Sequence, residues 1–353
     1  MHKTIAVLPG DGIGPEVIRE ARKVLDAIAE KYGHQFQYKT ADVGAAAIDK
    51  TGDPLPDSTL EVCKSSDALL FGAIGDPKYD NNPNARVRPE QGLLKLRKEL
   101  NLFANLRPIL AFDAILHLSP LKESRIKGSD FVIFRELTGG IYFGDKKEDS
   151  GDGIASDLMI YRREEITRIA RLAFEAAKKR RGKVTLVDKA NVLASSRLWR
   201  KVVQEIATDY PGVSLDFLFV DNAAMQIILR PSQFDVILTS NMFGDIISDE
   251  ASVISGSLGL SPSASIGDRY AMFEPIHGSY PQAKGKDIAN PMAAILSAAM
   301  MLEHWGMMDE AQNIKASINA ALAAGFVTED LNEENSQKTS AVGTYLAEFI
   351  LKH

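Results

Sequence analysis

Two aspartates four residues apart, Asp245 and Asp249, follow an apolar run and a small polar turn in FDVILTSNMFGDIISDEASVISGSLGL, residues 234–260. On a helix, positions four apart share a face with Cβ atoms about 5 to 6 Å apart, so both carboxylates can converge on one hard cation such as Mg²⁺ or Mn²⁺. The same pair also fits an acidic first turn facing the positive end of a helix dipole. Arg97, Arg107, Arg135 and Tyr142 fall at the ends of predicted elements, where the active sites of parallel α/β sheets collect. Each arginine alone reads as surface charge, whereas together their planar forks suit bidentate capture of carboxylates. Lys189 and Asp221 follow directly on two further apolar runs. Near arginines and a divalent cation, a lysine can have its pKa lowered enough to act as a base, although alone it too reads as a surface residue.

Short apolar, partly β-branched runs must position these groups, and residues 4–8, 68–71, 131–134, 184–187, 217–220 and 236–239 read as buried strands. Ser240, Asn241 and Gly244 supply turn chemistry ahead of the helix that carries the two aspartates. Residues 72–92 form a polar loop long enough to be functional, followed by a helix with Leu93, Leu94 and Leu96 beside Arg97. Arg107 is expected at the end of the next segment. Residues 145–157, DKKEDSGDGIASD, read as an exposed excursion or hairpin arm. A helix over 164–181 closes on Lys178, Lys179, Arg180 and Arg181, a run read as a solvated helix end. Residues 261–267 and 273–291 read as turn-rich loops bearing His277 and Asn290. Helices over 291–304, 313–323 and 339–351 complete the chain, which shows no internal repeat or low-complexity tract.

With 353 residues, 45% hydrophobic and 25% charged, the chain is long enough for about two domains with full cores. A net charge of −6 and a pI near 5.6 give no global attraction to nucleic acid or to an anionic membrane, so an anionic substrate must meet local cations. The lone Cys63 rules out an intrachain disulfide or a cysteine-rich metal site; it reads as a core residue and suits a reducing cytoplasm. The first strand begins almost at once, with no room for a signal segment, so a cytoplasmic location is expected. Residues 291–302 are too short an apolar stretch to span a bilayer.

The turn LPGDGIGPEV has glycines at 10, 12 and 14, but a dinucleotide GxGxxG fingerprint would need glycine at position 15, which is Pro15. Either the turn approaches a ligand closely or it is a βα turn needing positive φ. No GxxxxGK[ST] loop is present, which argues against phosphoryl transfer.

The segments GDGIGPEV, LRKELNLFANLRP, RELTGGIYFG, VDKANVL, SNMFGDIISDEAS, GSLGLSPSAS and EPIHGS occur in this order over nearly the whole chain. In them the sequence resembles the isocitrate/isopropylmalate dehydrogenase family of β-hydroxyacid oxidative decarboxylases. The resemblance implies a two-domain α/β fold with mixed sheets flanked by helices, distinct from a conventional Rossmann fold. Residues 1–103 plus 257–353 would form the cofactor-side domain and 104–256 the metal and dimerisation domain, with substrate in the cleft between them. It implies a homodimer with shared sites. Asp245 and Asp249 would bind Mg²⁺ or Mn²⁺ together with Asp221 of the partner subunit. Lys189, also from the partner, would be the base, Tyr142 the proton donor at C3, and Arg97, Arg107 and Arg135 the carboxylate holders. The implied NAD contacts are Ile13, Gly75, Glu90, Asn105, Leu258, Gly259, Glu274, His277, Gly278, Ser279, Gln282 and Asn290.

Isocitrate members of the family place serine and asparagine ahead of the arginine that Arg97 matches, whereas this chain has Leu93 and Leu94, with Val192 expected opposite. Burying three alkyl carbons is worth on the order of 2 kcal/mol, while desolvating an unpaired carboxylate against leucines costs roughly several. The expected reaction is therefore metal-dependent oxidative decarboxylation of an alkylmalate with reduction of NAD, as in leucine biosynthesis. The run ELTGGIYFG separates the chain from tartrate and D-malate relatives. Gln282 stands where NAD-using members carry an aspartate that repels a 2′-phosphate, and Lys284 and Lys286 are close in sequence. NADP-using relatives place lysine and tyrosine where this chain has Gln282 and Ala283, so NAD remains the expectation. The alternatives are a related alkylmalate, D-malate or isocitrate enzyme, or a non-catalytic regulatory subunit; the last should have lost Tyr142, Lys189 or an aspartate ligand, and all are present.

Overall fold

Twelve strands, in chain order, frame the described residues: β1 (His2–Gly10), β2 (Gln35–Thr40), β3 (Ala68–Ala73), β4 (Ala104–Leu110), β5 (Asp130–Glu136), β6 (Lys146–Lys147), β7 (Ser156–Asp157), β8 (Lys183–Asp188), β9 (Ser214–Phe219), β10 (Val236–Thr239), β11 (Pro262–Ile266) and β12 (Ala271–Pro275). The computed structural model describes residues 1–80, 82 and 85–353. Residues 81, 83 and 84, part of the loop expected to be functional, lie outside the described residues. The chain divides into two units, Met1–Asn101 with Ser255–His353 and Leu102–Ile254. Among the described residues no helix is long and apolar enough to cross a membrane.

In the first unit the strand order is β2-β1-β3-β12-β11, parallel except for the antiparallel β11–β12 pair. Strand β3 is buried along its whole length, as its unbroken apolar run requires. Helix Gly14–Tyr32 buries Val17, Ile18, Ala21, Val24, Leu25 and Ile28 as one stripe and ends at Gly33 in the left-handed region. The glycine turn before it is explained by backbone crowding. Gly10 and Gly12 have φ of +70° and +56°, and a Cβ on either would overlap a carbonyl oxygen, of Ala73 or Ser279 respectively. Inside the turn, the buried Asp11 accepts the N–H groups of Ala45, Ala46 and Gly75 at 2.9, 3.0 and 3.0 Å. Burial lifts its pKa.

In the second unit the order is β4-β5-β10-β8-β9, with β4 antiparallel to β5 and the rest parallel. Phe131, Ile133, Val187, Phe234, Ile237 and Ile247 meet in its core. Residues 145–157 do form an exposed hairpin arm, closed by the antiparallel β6–β7 ladder.

Several expectations are corrected. Residues 261–267 and 273–291 are not simply loops: β11 and β12 run through them, with Ser261, Ser263 and Ser265 buried, because sheet pairing overrides the turn preference of serine and proline. The helix expected over 164–181 is Arg163–Lys178. Beyond it Arg180 is not merely solvated: its Nε donates to the buried Asp235 at 2.8 Å and its Nη2 to Asp130 at 2.7 Å. Strand β2 and strand β4 carry too many polar residues to stand out as apolar runs, and Val220 opens helix Val220–Leu229 rather than ending β9.

Candidate active site

Strand β10 delivers the chain into helix Asn241–Ser252, in which Asp245 and Asp249 lie one turn apart. The first turn of this helix holds no acid, so the dipole alternative loses its basis: both aspartates sit beyond the free N–H groups. Gly244 is inside the helix rather than in a turn. A Cβ there would lie 2.6 Å from Arg135 Cγ, so the glycine lets the helix rest on the arginine stem.

Sheet geometry presents the arginines. Asn105 and Arg107 are two apart on β4 and so share a face. Arg135 lies opposite Asn105 in the β4–β5 ladder, next to Thr239 of β10. Arg107 thus stands mid-strand, not at a segment end. Its Nη1 donates to Asp249 Oδ1 at 2.7 Å and to Ser248 Oγ at 2.8 Å, and its Nε to Asn105 Oδ1 at 3.0 Å. The buried Arg135 donates through Nη1 to Asp245 Oδ1, and through Nε and Nη2 to Asn241 Oδ1 at 3.1 and 2.8 Å. Tyr142 donates its hydroxyl to Asp245 Oδ2 at 2.8 Å, and partial burial with that carboxylate raises the phenol's pKa. One helix face therefore collects two carboxylates, two guanidiniums and a phenol.

Two buried side chains fix the turn that carries Tyr142, and the sequence reading singled out neither as functional. Glu136 accepts the Thr138 and Gly139 N–H groups at 3.0 and 2.7 Å, and burial raises its pKa. Asn241, fully buried, donates Nδ2 to the Gly139 carbonyl at 3.1 Å and its backbone N–H to Tyr161 Oη at 2.8 Å. Tyr161 packs under the turn so closely that a Cβ on Gly140, which has φ of +76°, would overlap its hydroxyl. The available signal was an asparagine one serine past a short, fully buried strand, but turns use the same residue.

Lys189 and Asp221 form their own pair, Nζ to Oδ1 at 2.5 Å, and the lysine holds the exposed carboxylate below its ordinary value. Asp221 does not join Asp245 and Asp249: among the described residues no three His, Cys, Asp or Glu side chains are grouped to hold a metal. Hard carboxylate oxygens suit Mg²⁺ or Mn²⁺, and the Asp245–Asp249 pair fits such an ion as an incomplete donor set that needs further oxygens.

Arg97, in the last turn of helix Pro89–Glu99, donates Nη2 to Glu274 Oε1 at 3.0 Å. On the same helix Leu93 is half-buried and Leu94 is 46% exposed, while Val192 is 62% exposed. These are apolar side chains without full cover.

A cavity of about 790 Å³ in the first unit is lined by Ile13, Leu258, Gly259, His277, Gly278 and Asn290 among others. Its size is within the range of cofactor sites. His277 Nδ1 lies 3.0 Å from the Gly278 carbonyl, its Nε2 is buried without a partner, and burial lowers the imidazole pKa. A cavity of this volume with an unsatisfied donor or acceptor on its wall fits a dinucleotide. The other residues expected at the cofactor are placed apart from this lining. Ser279 accepts the Ile13 N–H at 2.8 Å through its carbonyl, and Gly75 faces Glu90 and the Ser279 hydroxyl. Asn105 serves Arg107, and Glu274 serves Arg97. Gln282 is exposed in the turn Pro281–Ala283.

A family model described as isocitrate/isopropylmalate dehydrogenase matches residues 4–346. The sequence is 53% identical over 354 residues, covering all of both chains, to the 3-isopropylmalate dehydrogenase of Bacteroides fragilis. It is 55% identical over 344 residues to that of Aquifex aeolicus, covering 96% of this chain and 93% of the relative. In structure it is similar to isocitrate dehydrogenase from Methylococcus capsulatus, with a TM-score of 0.88 and 37% identity over 99% of this chain and 100% of that one. A β-decarboxylating dehydrogenase from Thermococcus kodakarensis gives a TM-score of 0.83 and 38% identity over 99% of this chain and 96% of that one.

Proposed function

The chain belongs to the isocitrate/isopropylmalate dehydrogenase family, and we propose that it catalyses the oxidative decarboxylation of 3-isopropylmalate to 4-methyl-2-oxopentanoate with reduction of NAD, a step of leucine biosynthesis. One observation carries the reaction: Arg107, Arg135, Tyr142, Asp245 and Asp249 converge on one helix face in a chain 53% identical, end to end, to an enzyme of that name. The half-buried Leu93 and the exposed Leu94 beside Arg97 support the substrate, since they offer an isopropyl group cover and an extra carboxylate no partner.

Asp245 and Asp249, with Asp221 of the partner subunit, would hold Mg²⁺ or Mn²⁺. When bound, the divalent ion polarises the C2 oxygen and the nicotinamide accepts hydride from C2. Lys189, brought by the partner, removes the C2 hydroxyl proton. Arg107 and Arg135, which rest on Asp249 and Asp245 in the free chain, turn donors to the substrate carboxylates. Arg97 is assigned to the same task. Once CO₂ has left, Tyr142 delivers the proton that C3 needs. Leu93, Leu94 and Val192 cover the isopropyl group.

The shared site has support in the second unit. Helix Val220–Leu229 begins with Asp221 and exposes Met225, Ile228 and Leu229, while helix Asn241–Ser252 exposes Ile246. Apolar side chains on these helices suit association of two copies, which would carry each Asp221 and Lys189 to the neighbouring chain. We assign residues 1–103 with 257–353 to the cofactor and 104–256 to the metal and dimer contact. Cytoplasmic location fits the single buried thiol of Cys63.

The test is absorbance at 340 nm with 3-isopropylmalate, isocitrate and D-malate, each with NAD or NADP and Mn²⁺. The 3-isopropylmalate and NAD pair should exceed isocitrate by at least roughly 100-fold in kcat/KM, given several kcal/mol for a carboxylate against leucines. Faster isocitrate oxidation overturns the substrate; no reduction with any acid overturns the reaction.

A further inference from the structure

A second cavity in the first unit, of about 420 Å³, lies between helix Gly14–Tyr32 and strands β1 and β2. It shares no lining residue with the cavity of His277 and Asn290, and the proposed reaction uses none of its walls. Pro15, Arg19, Arg22 and Asp26 recur every three or four residues along the helix, on the edge of the stripe it buries, so they converge on one side of this cavity. Strands β1 and β2 add Pro9 and Thr40.

The cations here are unevenly matched. Arg19 Nε donates to the fully buried Glu20 at 2.9 Å, its Nη2 lies 3.9 Å from Asp287, and Lys23 donates to Glu20 and, at 3.0 Å, to Thr344 Oγ1. Arg22 is left over: among the described residues no carboxylate lies within ion-pair distance of it, and its Nε is buried without a hydrogen bond. Its guanidinium rests on the Tyr38 ring, 4.5 Å from the centroid, a contact that uses the face of the fork and leaves its edge. The Tyr38 hydroxyl donates to Asp26 Oδ1 at 2.8 Å, which engages the one carboxylate among the described lining residues. An unmet donor on a permanently charged group, beside an apolar wall, suits an anion that brings hydrocarbon with it.

We propose that this cavity binds a small aliphatic carboxylate, with its carboxylate on the edge of Arg22 and its hydrocarbon against Pro9, Pro15 and Ile18. The volume lies in the range of small-molecule sites. Inorganic phosphate would meet the same fork but gain nothing from the prolines and Ile18, which separates the two classes of anion.

The experiment titrates 4-methylpentanoate into the whole protein by calorimetry, with inorganic phosphate and the uncharged 4-methylpentanamide as comparisons. For a ligand of this size a Kd on the order of 1 mM is expected. Arg22→Gln should weaken binding at least about tenfold, and the amide should bind at least about tenfold more weakly than the acid. A carboxylate can also reach the arginines of the proposed active site, so Thr40→Trp, which fills the cavity from its exposed rim and keeps every charge, is titrated as well and should lose the same binding. Both variants should keep kcat/KM for 3-isopropylmalate within about twofold, and Thr40→Trp decides alone if Arg22→Gln fails to fold. Loss of binding in the folded variants upholds the site. No saturable binding at about ten times the expected Kd, an unchanged Kd in either folded variant, or phosphate or the amide binding as tightly as 4-methylpentanoate overturns it.

Discussion

Replacing Asn241 with leucine, a side chain of similar volume, removes one amide that serves three parts of the proposed site at once. Its Oδ1 accepts two bonds from Arg135, its Nδ2 donates to the Gly139 carbonyl ahead of Tyr142, and it opens the helix of Asp245 and Asp249. Hydrogen bonds to a charged group contribute about 1.5 to 3 kcal/mol each, and a buried carbonyl left without a donor costs about 1 to 3 kcal/mol. Part of that loss falls on folding. If roughly 2 to 3 kcal/mol falls on transition-state binding, kcat/KM drops about 30- to 150-fold. Asn241→Asp separates the contributions: it keeps an acceptor for Arg135 but sets an oxygen against the Gly139 carbonyl. It should hold KM for 3-isopropylmalate within about threefold while kcat falls about tenfold or more, as Tyr142 shifts. Steady-state rates at 340 nm, with circular dichroism to verify folding, make the test. A folded Asn241→Leu protein with kcat/KM within about threefold of wild type refutes the reasoning, as does a KM rise in Asn241→Asp equal to that in Asn241→Leu.

If the site is shared between two copies as proposed, Lys189→Ala and Asp245→Ala chains, each inactive alone and mixed under conditions of subunit exchange, should recover part of the activity, since a mixed dimer would assemble one intact site; no recovery after verified exchange counts against sharing. His277 has its pKa lowered from 6.5 by burial, so the unfolded chain binds its proton more readily than the folded one. Its contribution to stability is complete above pH 6.5 and is lost as pH falls through the lowered folded-state value. Urea unfolding of wild type and His277→Phe should therefore diverge in slope against pH below 6.5; parallel curves contradict this. Cys63 is fully buried, and burial pushes its thiol up to about 12. A thiol reagent at pH 8 should leave it intact until denaturant is added, and prompt labelling of the folded protein would disagree.

The sequence made the β10–helix stretch legible because an apolar run, a polar break and an i, i+4 acid pair are all local signals. Whether Asp245 and Asp249 faced a helix dipole depended on where the helix begins, and it begins at Asn241, which puts Asp245 past the first turn. Gly244 looked like turn chemistry because its reason, the Arg135 stem beneath it, comes from a strand more than a hundred residues away. Arg180 looked solvated for the same reason: its partners Asp130 and Asp235 arrive through strand pairing. The serines of β11 hid a buried strand, since their propensity favours turns while their neighbours favour a ladder. Asn241 and Glu136 are polar residues whose buried, fully bonded roles exist only once the sheet is assembled. Of the side chains picked out together, Arg107, Arg135 and Tyr142 meet around Asp245 and Asp249, whereas Arg97 rests on Glu274, a partner that only the folded chain brings to it.

The central claim, oxidation coupled to loss of CO₂, is tested most directly by stoichiometry. Incubation with 3-isopropylmalate, NAD and Mn²⁺ should release NADH, CO₂ and 4-methyl-2-oxopentanoate in equal amounts, with the Tyr142→Phe protein slower in forming the oxoacid. NADH formed without equivalent CO₂, or no product of either kind, would contradict it.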